Sequence, residues 1–136
     1  MAMKANISAT VLLLSLAACA SNAPVSLSTS AAQNMLAQPL PEYAAKLRIA
    51  RQISASCERY EFNDQMQVAL SAARPDTAGG RLQAIRQGPG IALATDVELR
   101  SFQAKHGVDI SSANLCEAGD REVAEQTGIS ALLVAS

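Results

Sequence analysis

Apolar residues recur at three- and four-residue steps through the first long segment of the chain, which is the period of one face of an α-helix. This segment runs from about Pro41 to Tyr60, and its apolar positions are Tyr43, Leu47, Ala50, Ile53, Cys57 and Tyr60. The opposite face carries Arg48, Arg51, Gln52, Ala55, Glu58 and Arg59. Proline in the first turn, followed by glutamate, fits a helix start. The pattern predicts a first helix with one buried face.

Capping residues predict two further helices. Asn63 is a good N-cap for a second helix, which should end at Arg74 because a proline follows it. A third helix is predicted over about 96–106 and is compatible with an earlier start near Ile91. Gly107 suits the left-handed conformation that often follows a helix end. Each helix therefore has a physical reason to stop where it does.

The C-terminal part predicts a fourth helix, which starts after Asp109 and runs to about Val134. Its apolar residues are Leu115, Cys116, Val123, Ile129, Leu132 and Leu133. A short helix is also compatible with residues 81–87, and no segment has the alternation of a convincing strand. The scarcity of aromatic residues also favours close-packed helices over a β-sandwich. We therefore expect an all-α domain over 40–136, a small bundle of about four helices.

The segment before this domain has a different composition. Residues 19–39 are small, polar or weakly apolar, carry no charge and show no helical or strand period. Such a segment is expected to be a flexible tether, and 20 residues of it would reach about 25 Å.

The N-terminus has the pattern of a signal peptide: Lys4, an apolar stretch from Ile7 to Ala18, and small residues at its end. The sequence Leu16-Ala17-Ala18-Cys19 resembles the lipobox of bacterial lipoproteins. That resemblance implies removal of residues 1–18 and lipidation of Cys19, giving an envelope protein held by its acyl chains. No Asp follows the cysteine, so the resemblance favours the outer membrane.

Two other outcomes fit the same N-terminal residues. Ala18-Cys19-Ala20 is also an A-x-A pattern, so cleavage after Ala20 would release a soluble periplasmic protein. In the second alternative, the hydrophobic N-terminus is not cleaved and is retained. The apolar stretch is shorter than the ~20 residues that a permanent membrane-spanning helix needs.

The remaining two cysteines, Cys57 and Cys116, are expected to form a disulfide, because an even pair in an oxidising compartment usually does. The alternative is a redox-active or metal-binding thiol. There is no CxxC motif and the chain has one histidine, so neither alternative has its expected pattern.

Three segments carry a second resemblance: the cysteine late in the first helix, His106-Gly107-Val108-Asp109, and Cys116 to Glu122 followed by Thr127 to Leu133. From Leu40 onward the chain is similar to a family of small secreted helical proteins from alphaproteobacteria. The resemblance implies a helical periplasmic domain with one disulfide. The family carries no assigned activity, so the resemblance implies no catalytic residues.

The net charge of the chain and its distribution limit the kinds of partner that are expected. The formal net charge is −1, and nucleic-acid binding usually needs a basic face, so no nucleic-acid partner is expected. The charges are unevenly spread, with seven basic and five acidic residues from Glu42 to Arg86, against three basic and seven acidic from Asp96 to Glu125. The basic face at Arg48, Arg51 and Arg59 is expected to be solvated, or else to contact an anionic lipid or polymer.

The sequence contains no strong candidate for a catalytic or metal-binding residue. His106 is expected to cap a helix end, since the sequence places no nucleophile or carboxylate beside it. The acidic residues Glu117, Asp120, Glu122 and Glu125 lack the glycine and ligand alternation of a calcium loop, so a solvated helix face is expected. No GxSxG is present. We expect no catalytic residue, cofactor or metal.

Three functions are therefore compared. The first is a non-enzymatic envelope lipoprotein that binds another envelope component or supports an assembly. The second is a small-ligand or cell-wall-binding periplasmic module, with a cavity lined by residues such as Phe62, Met66 and Phe102. The third, an enzyme, would need His106 and several carboxylates to converge in a cleft.

Overall fold

The computed structural model describes residues 25–77, 89–111 and 114–136, and within them the fold is mostly helical, as predicted. The elements in chain order are α1 (Ser30–Leu36), α2 (Leu40–Ser56), β1 (Tyr60–Phe62), α3 (Asp64–Ala73), α4 (Pro89–His106), α5 (Cys116–Ala124), a 3₁₀ helix (Ile129–Leu132) and β2 (Leu133–Ala135). The predicted signal peptide, Cys19 and the short helix at 81–87 lie outside the described residues. None of the helices in the described ranges combines the length and hydropathy needed to cross a membrane.

Helix α2 is the centre of the fold. Seven of its 17 residues are buried, and its apolar face packs against α4, the 3₁₀ helix, β1 and α5. Side chains from every other helix complete the core, and the largest fully buried ones are Tyr43, Met35, Leu47, Ile49, Ile53, Leu70, Leu115 and Leu132. The three- and four-residue spacing therefore identified the buried face of α2 correctly. The helix ends at Ser56, earlier than predicted, because the backbone becomes extended at Cys57.

Helix α1 shows that the prediction of a flexible tether is wrong for the second half of residues 19–39. The Thr29 side chain caps this helix by accepting a hydrogen bond from the Ala32 amide at 3.2 Å. Ala32 and Met35 have no exposed surface and belong to the hydrophobic core. The Met35 backbone lies against Gly128, where an added Cβ would be 3.4 Å from the Met35 amide nitrogen. Tertiary contacts, rather than local propensity, stabilise this short helix.

The predicted fourth helix is wrong at both ends, because α5 begins at Cys116 rather than just after Asp109 and ends at Ala124 rather than near Val134. Gln126 has a φ of +52°, which breaks the helix, and the chain continues as a 3₁₀ helix and then as β2. Strand β2 pairs antiparallel with β1, with Phe62 opposite Leu133 and Tyr60 opposite Ala135. The expectation of no strand is therefore wrong for this small two-stranded sheet, which closes the C-terminus onto the end of α2.

Helix boundaries elsewhere follow the predicted capping chemistry. The Asn63 side chain accepts a hydrogen bond from the Met66 amide at 2.9 Å at the start of α3. Helix α4 uses the earlier of the two possible starts, at Pro89. Gly107 has a φ of +65°, the left-handed conformation expected just after a helix.

The predicted disulfide between Cys57 and Cys116 is confirmed. It joins the C-cap of α2 to the first residue of α5, with Cα atoms 5.1 Å apart. Gly119, one turn further along α5, lies against the Tyr60 ring, and an added Cβ there would be 2.9 Å from that ring. The disulfide holds α5 to the end of α2, and the absence of a side chain at Gly119 allows the two to lie close together.

Candidate functional site

An open groove of about 710 Å³ lies between α2 and α4. Its α2 wall is formed by one helical face, Ala44, Arg48, Arg51, Gln52 and Ala55, and its α4 wall by Ile91, Ala92, Thr95, Asp96 and Leu99. Alanines on both walls, Ala44 and Ala55 on α2 and Ala92 on α4, leave space between the longer side chains. Sequence analysis identified the arginine side of this groove but not the α4 side.

The groove carries a cationic group that its own walls do not neutralise. Arg48 is exposed, and its guanidinium has no ion pair or hydrogen bond with any residue in the described ranges. Arg51 is held in place, because its guanidinium lies 4.1 Å from the centre of the Phe62 ring and also contacts Gln67 and Asp64. Arg59, the third residue of the predicted basic face, is instead paired with Asp120 at 2.9 Å, away from the groove.

Apolar side chains are also exposed on α4 outside the groove. Leu93 is 68% exposed and Val97 is 57% exposed. They are four residues apart, so they lie on the same face of the helix, and neither of them lines the groove. Two aliphatic side chains at this spacing form a surface that a partner helix can cover.

A buried polar cluster lies elsewhere, where the end of α4 meets α5. The Glu122 side chain is 3% exposed, and its Oε1 atom lies 2.6 Å from His106 Nε2 and 2.9 Å from Lys105 Nζ. The Thr127 hydroxyl donates to Oε2 of the same carboxylate, and Lys105 also contacts Glu125. Both oxygens of Glu122 are therefore occupied. The expectation of a solvated acidic face is wrong for Glu122, because two basic side chains from α4 fold over it.

Burial alone would raise the pKa of Glu122. Hydrogen bonds from Thr127, Lys105 and His106 outweigh that effect, so the pKa of this carboxyl lies below its ordinary value. Burial alone would lower the pKa of the Lys105 ammonium. Its hydrogen bonds to Glu125 and Glu122 outweigh that effect, so the pKa of Lys105 is raised. Both shifts favour the charged forms, as expected for a satisfied ion-pair network.

The Glu122→Gln variant should be less stable than the native chain at pH 7 by about 1.5–3 kcal/mol, because it loses charge-assisted hydrogen bonds in a buried setting. The folded-state pKa of Glu122 is lowered, so its contribution is complete above the ordinary value of 4.5 and is lost as the pH falls through the lowered value. Urea unfolding at several pH values should show the two curves converging in acid. Glu125→Gln, at a side chain that is 50% exposed, is the control and should change stability little. A constant difference from pH 7 to pH 3 would contradict this account.

The imidazole of His106 is shielded from solvent. Its side chain is 1% exposed, it lies against the Phe102 ring, and its Nδ1 atom has no hydrogen-bond partner among the described residues. It sits at the end of α4, as predicted, but it contacts a carboxylate that sequence analysis did not place there. A substrate would reach His106 only after local opening of the packing around it.

The other candidate residues are dispersed. Phe62 and Met66 line a depression of about 610 Å³ together with Val25, whereas Phe102 lines a separate one of about 340 Å³. The predicted cavity shared by Phe62, Met66 and Phe102 is therefore absent from the described part of the chain. Within the same ranges, no group of three or more histidine, cysteine or acidic residues is placed to hold a metal ion.

Comparison with known proteins gives no relative. No family model matches the chain, and no curated protein and no solved structure matches it either.

Proposed function

We propose that this chain is a lipid-anchored envelope protein that binds another envelope component through the groove between α2 and α4 and catalyses no reaction. The observation that carries the proposal is the groove itself, which is open, carries the exposed Arg48 and has apolar side chains such as Ile91 and Leu99 in its lining. Apolar side chains beside a charge that has no partner among the described residues are typical of a surface that is covered in a complex.

The lipobox Leu16-Ala17-Ala18-Cys19 supports the anchor. Helix α1 then shortens the predicted tether, because the chain already packs on the core at Val25. Six residue steps from Cys19 to Val25 reach at most about 20 Å. A lipidated chain would therefore hold the helical domain close to the membrane surface, at the periplasmic face of the outer membrane.

The polar cluster supports the absence of catalysis. A general base must come within hydrogen-bond distance of the proton that it abstracts, and the His106 ring is 1% exposed, with Nε2 held by Glu122 and Nδ1 buried. Lys105 and Thr127 fill the remaining positions around that carboxylate. These contacts suit a structural ion pair that fixes α5 against α4.

Replacing Cys19 with serine should move the protein from the membrane fraction to the soluble fraction, because serine lacks the thiol that receives the lipid. The native chain should show a lipid adduct by intact-mass spectrometry of the membrane fraction, and processing should remove residues 1–18. A native chain that is soluble, lacks an adduct and begins after Ala20 would instead establish ordinary secretion.

The partner itself is tested by chemical crosslinking in cells and mass spectrometry of the membrane fraction. We expect one reproducible envelope protein with the native chain and its loss with Cys19→Ser. Recovery of the native chain alone would contradict the binding proposal while leaving the anchor intact.

A small-ligand function remains the second candidate, and the 340 Å³ depression beside Phe102 favours it. This depression combines Phe102 and Ile129 with the ammonium of Lys46 and the carboxylate of Glu98, which are 3.9 Å apart. A loosely paired lysine and glutamate beside apolar side chains suit a small zwitterion. A thermal-shift screen against cell-wall fragments would test it, and no stabilisation by any of them would argue against this function.

A further inference from the structure

We propose that the α2–α4 groove recognises an acidic amphipathic helix of the partner protein. This inference rests on the proposed function and specifies the chemistry of the partner. It uses three properties of the groove: its charge, its length and the size of the side chains that line it.

The charge of the groove favours a carboxylate. Arg48 is exposed and has no partner among the described residues, and Arg51 is oriented by its contacts with Phe62 and Asp64. The acidic residue in the lining, Asp96, is neutralised by Arg100 at 2.7 Å. The groove therefore presents a net positive charge, and an arginine fork binds a carboxylate with two parallel hydrogen bonds.

The dimensions of the groove favour a helix. The lining residues of α2 extend from Ala44 to Ala55, and 11 residue steps at 1.5 Å give a length of about 16 Å, or three helical turns. Ala44, Ala55 and Ala92 lie along this length, and small side chains allow a partner helix to approach closely. Ile91 and Leu99 supply apolar surface in the lining, against which the apolar face of such a helix would pack.

A protein segment fits better than an anionic membrane surface. A flat surface cannot enter a groove between two helices, and the formal net charge of −1 provides no overall attraction to anionic lipid. An acidic helix fits the shape of the groove and supplies carboxylates to its arginines.

The test uses the full processed chain purified in detergent and three labelled probes. The first is a helical 16-residue peptide with leucine on one face and glutamate beside it, the second has lysine in place of each glutamate, and the third is glycerol phosphate, a soluble anionic phospholipid headgroup without acyl chains. Fluorescence anisotropy should show binding of the glutamate peptide that weakens with salt, and binding of the lysine peptide that is at least tenfold weaker.

Two variants separate charge from shape. Arg48→Glu should weaken binding of the glutamate peptide by at least tenfold, and Ala92→Phe should weaken it by filling the groove without changing charge. Arg121→Glu is the matched control, because Arg121 is an exposed arginine on α5 and does not line the groove. Unfolding midpoints should show that all three variants are folded.

Several outcomes would overturn the inference. These are equal binding of both peptides, no binding of the glutamate peptide, unchanged binding in Arg48→Glu and Ala92→Phe, or binding of glycerol phosphate in preference to the peptide. If a partner is crosslinked in cells while the glutamate peptide fails to bind, the proposed function stands and the acidic-helix inference fails. If the peptide binds but no envelope partner is found in cells, the groove chemistry stands and the proposed function fails.

Discussion

Replacing Arg74 with methionine should lower the free energy of unfolding by about 3–4 kcal/mol, one of the two largest effects expected in this chain. Its side chain is 6% exposed, and its Nη1 atom donates to the carbonyl oxygens of Leu36 at 3.0 Å and Gln38 at 2.8 Å. These carbonyls belong to the end of α1, where no further helical turn supplies their donors. The methionine variant leaves these partly buried carbonyls without their donor.

The same guanidinium makes two other contacts. It forms a two-pronged pair with Asp76, at 3.0 and 2.7 Å, which holds the pKa of that carboxyl below its usual range, and it lies 4.6 Å from the centre of the Tyr43 ring. Arg74 thus connects the end of α3, the end of α1 and the buried face of α2. Its loss should release α1 before the rest of the domain unfolds.

Hydrogen exchange of the α1 amides and urea unfolding together measure this effect. Arg74→Lys should give an intermediate loss, because lysine keeps the charge but cannot reproduce the planar fork. Arg100→Met is the control, since its side chain is 76% exposed and paired with Asp96 on the same helix, an arrangement worth less than about 1 kcal/mol. Unchanged protection of the α1 amides in Arg74→Met would show that α1 is held by other contacts.

Removal of the disulfide should have a comparable effect. Cys57 and Cys116 are 59 residues apart in sequence, and closing a loop of that length corresponds to about 4 kcal/mol in the chain-entropy model. A domain of this size typically has a total free energy of unfolding of about 5–15 kcal/mol, so the reduced chain should be marginally stable. Because Cys57 is 2% exposed, reduction should require opening of the packing around the end of α2.

The comparison uses urea unfolding of the native chain with and without reductant and of the Cys57→Ala/Cys116→Ala variant. Reductant should lower the unfolding midpoint of the native chain and leave that of the double variant unchanged. The native, oxidised chain should contain no titratable thiol from these two residues. An unfolding midpoint that is insensitive to reductant would contradict the predicted contribution.

The parts of the fold that the sequence predicted well are those determined by local chemistry. The spacing of Tyr43, Leu47, Ala50 and Ile53 identifies the buried face of α2, and Asn63 and Gly107 mark a helix start and a helix end. Each of these signals acts within a few residues. The disulfide was predicted because two cysteines remain besides Cys19 and the protein was expected in an oxidising compartment.

The errors all involve contacts between distant parts of the chain. Helix α1 has little charge or periodicity of its own and is held by Arg74 and Gly128, 38 and 92 residues after Leu36. Strand β2 is three residues long and pairs with β1, which lies far earlier in the sequence. Short apolar segments such as these do not distinguish helix from strand by period alone. Tertiary pairing decides their structure.

The candidate site was predicted only in part for the same reason. Arg48 and Arg51 were identified as a basic face because they share one side of α2. The opposing wall on α4 was missed, since the sequence does not indicate which helix packs against which. Glu122 was placed on a solvated face because it was grouped with Glu117, Asp120 and Glu125, which lack the pattern of a calcium loop. Its burial depends on Lys105 and His106, which belong to another helix.

The most direct test of the central claim, that the groove binds an envelope partner, is site-specific photo-crosslinking in cells. A photoreactive amino acid at Gln52, inside the groove, is compared with one at Ala72, an exposed position on α3 that does not line the groove. We predict one crosslinked envelope protein from position 52, none from position 72, and loss of the product when Arg48→Glu is added. Equal products from both positions, or a product from position 72 alone, would contradict the account.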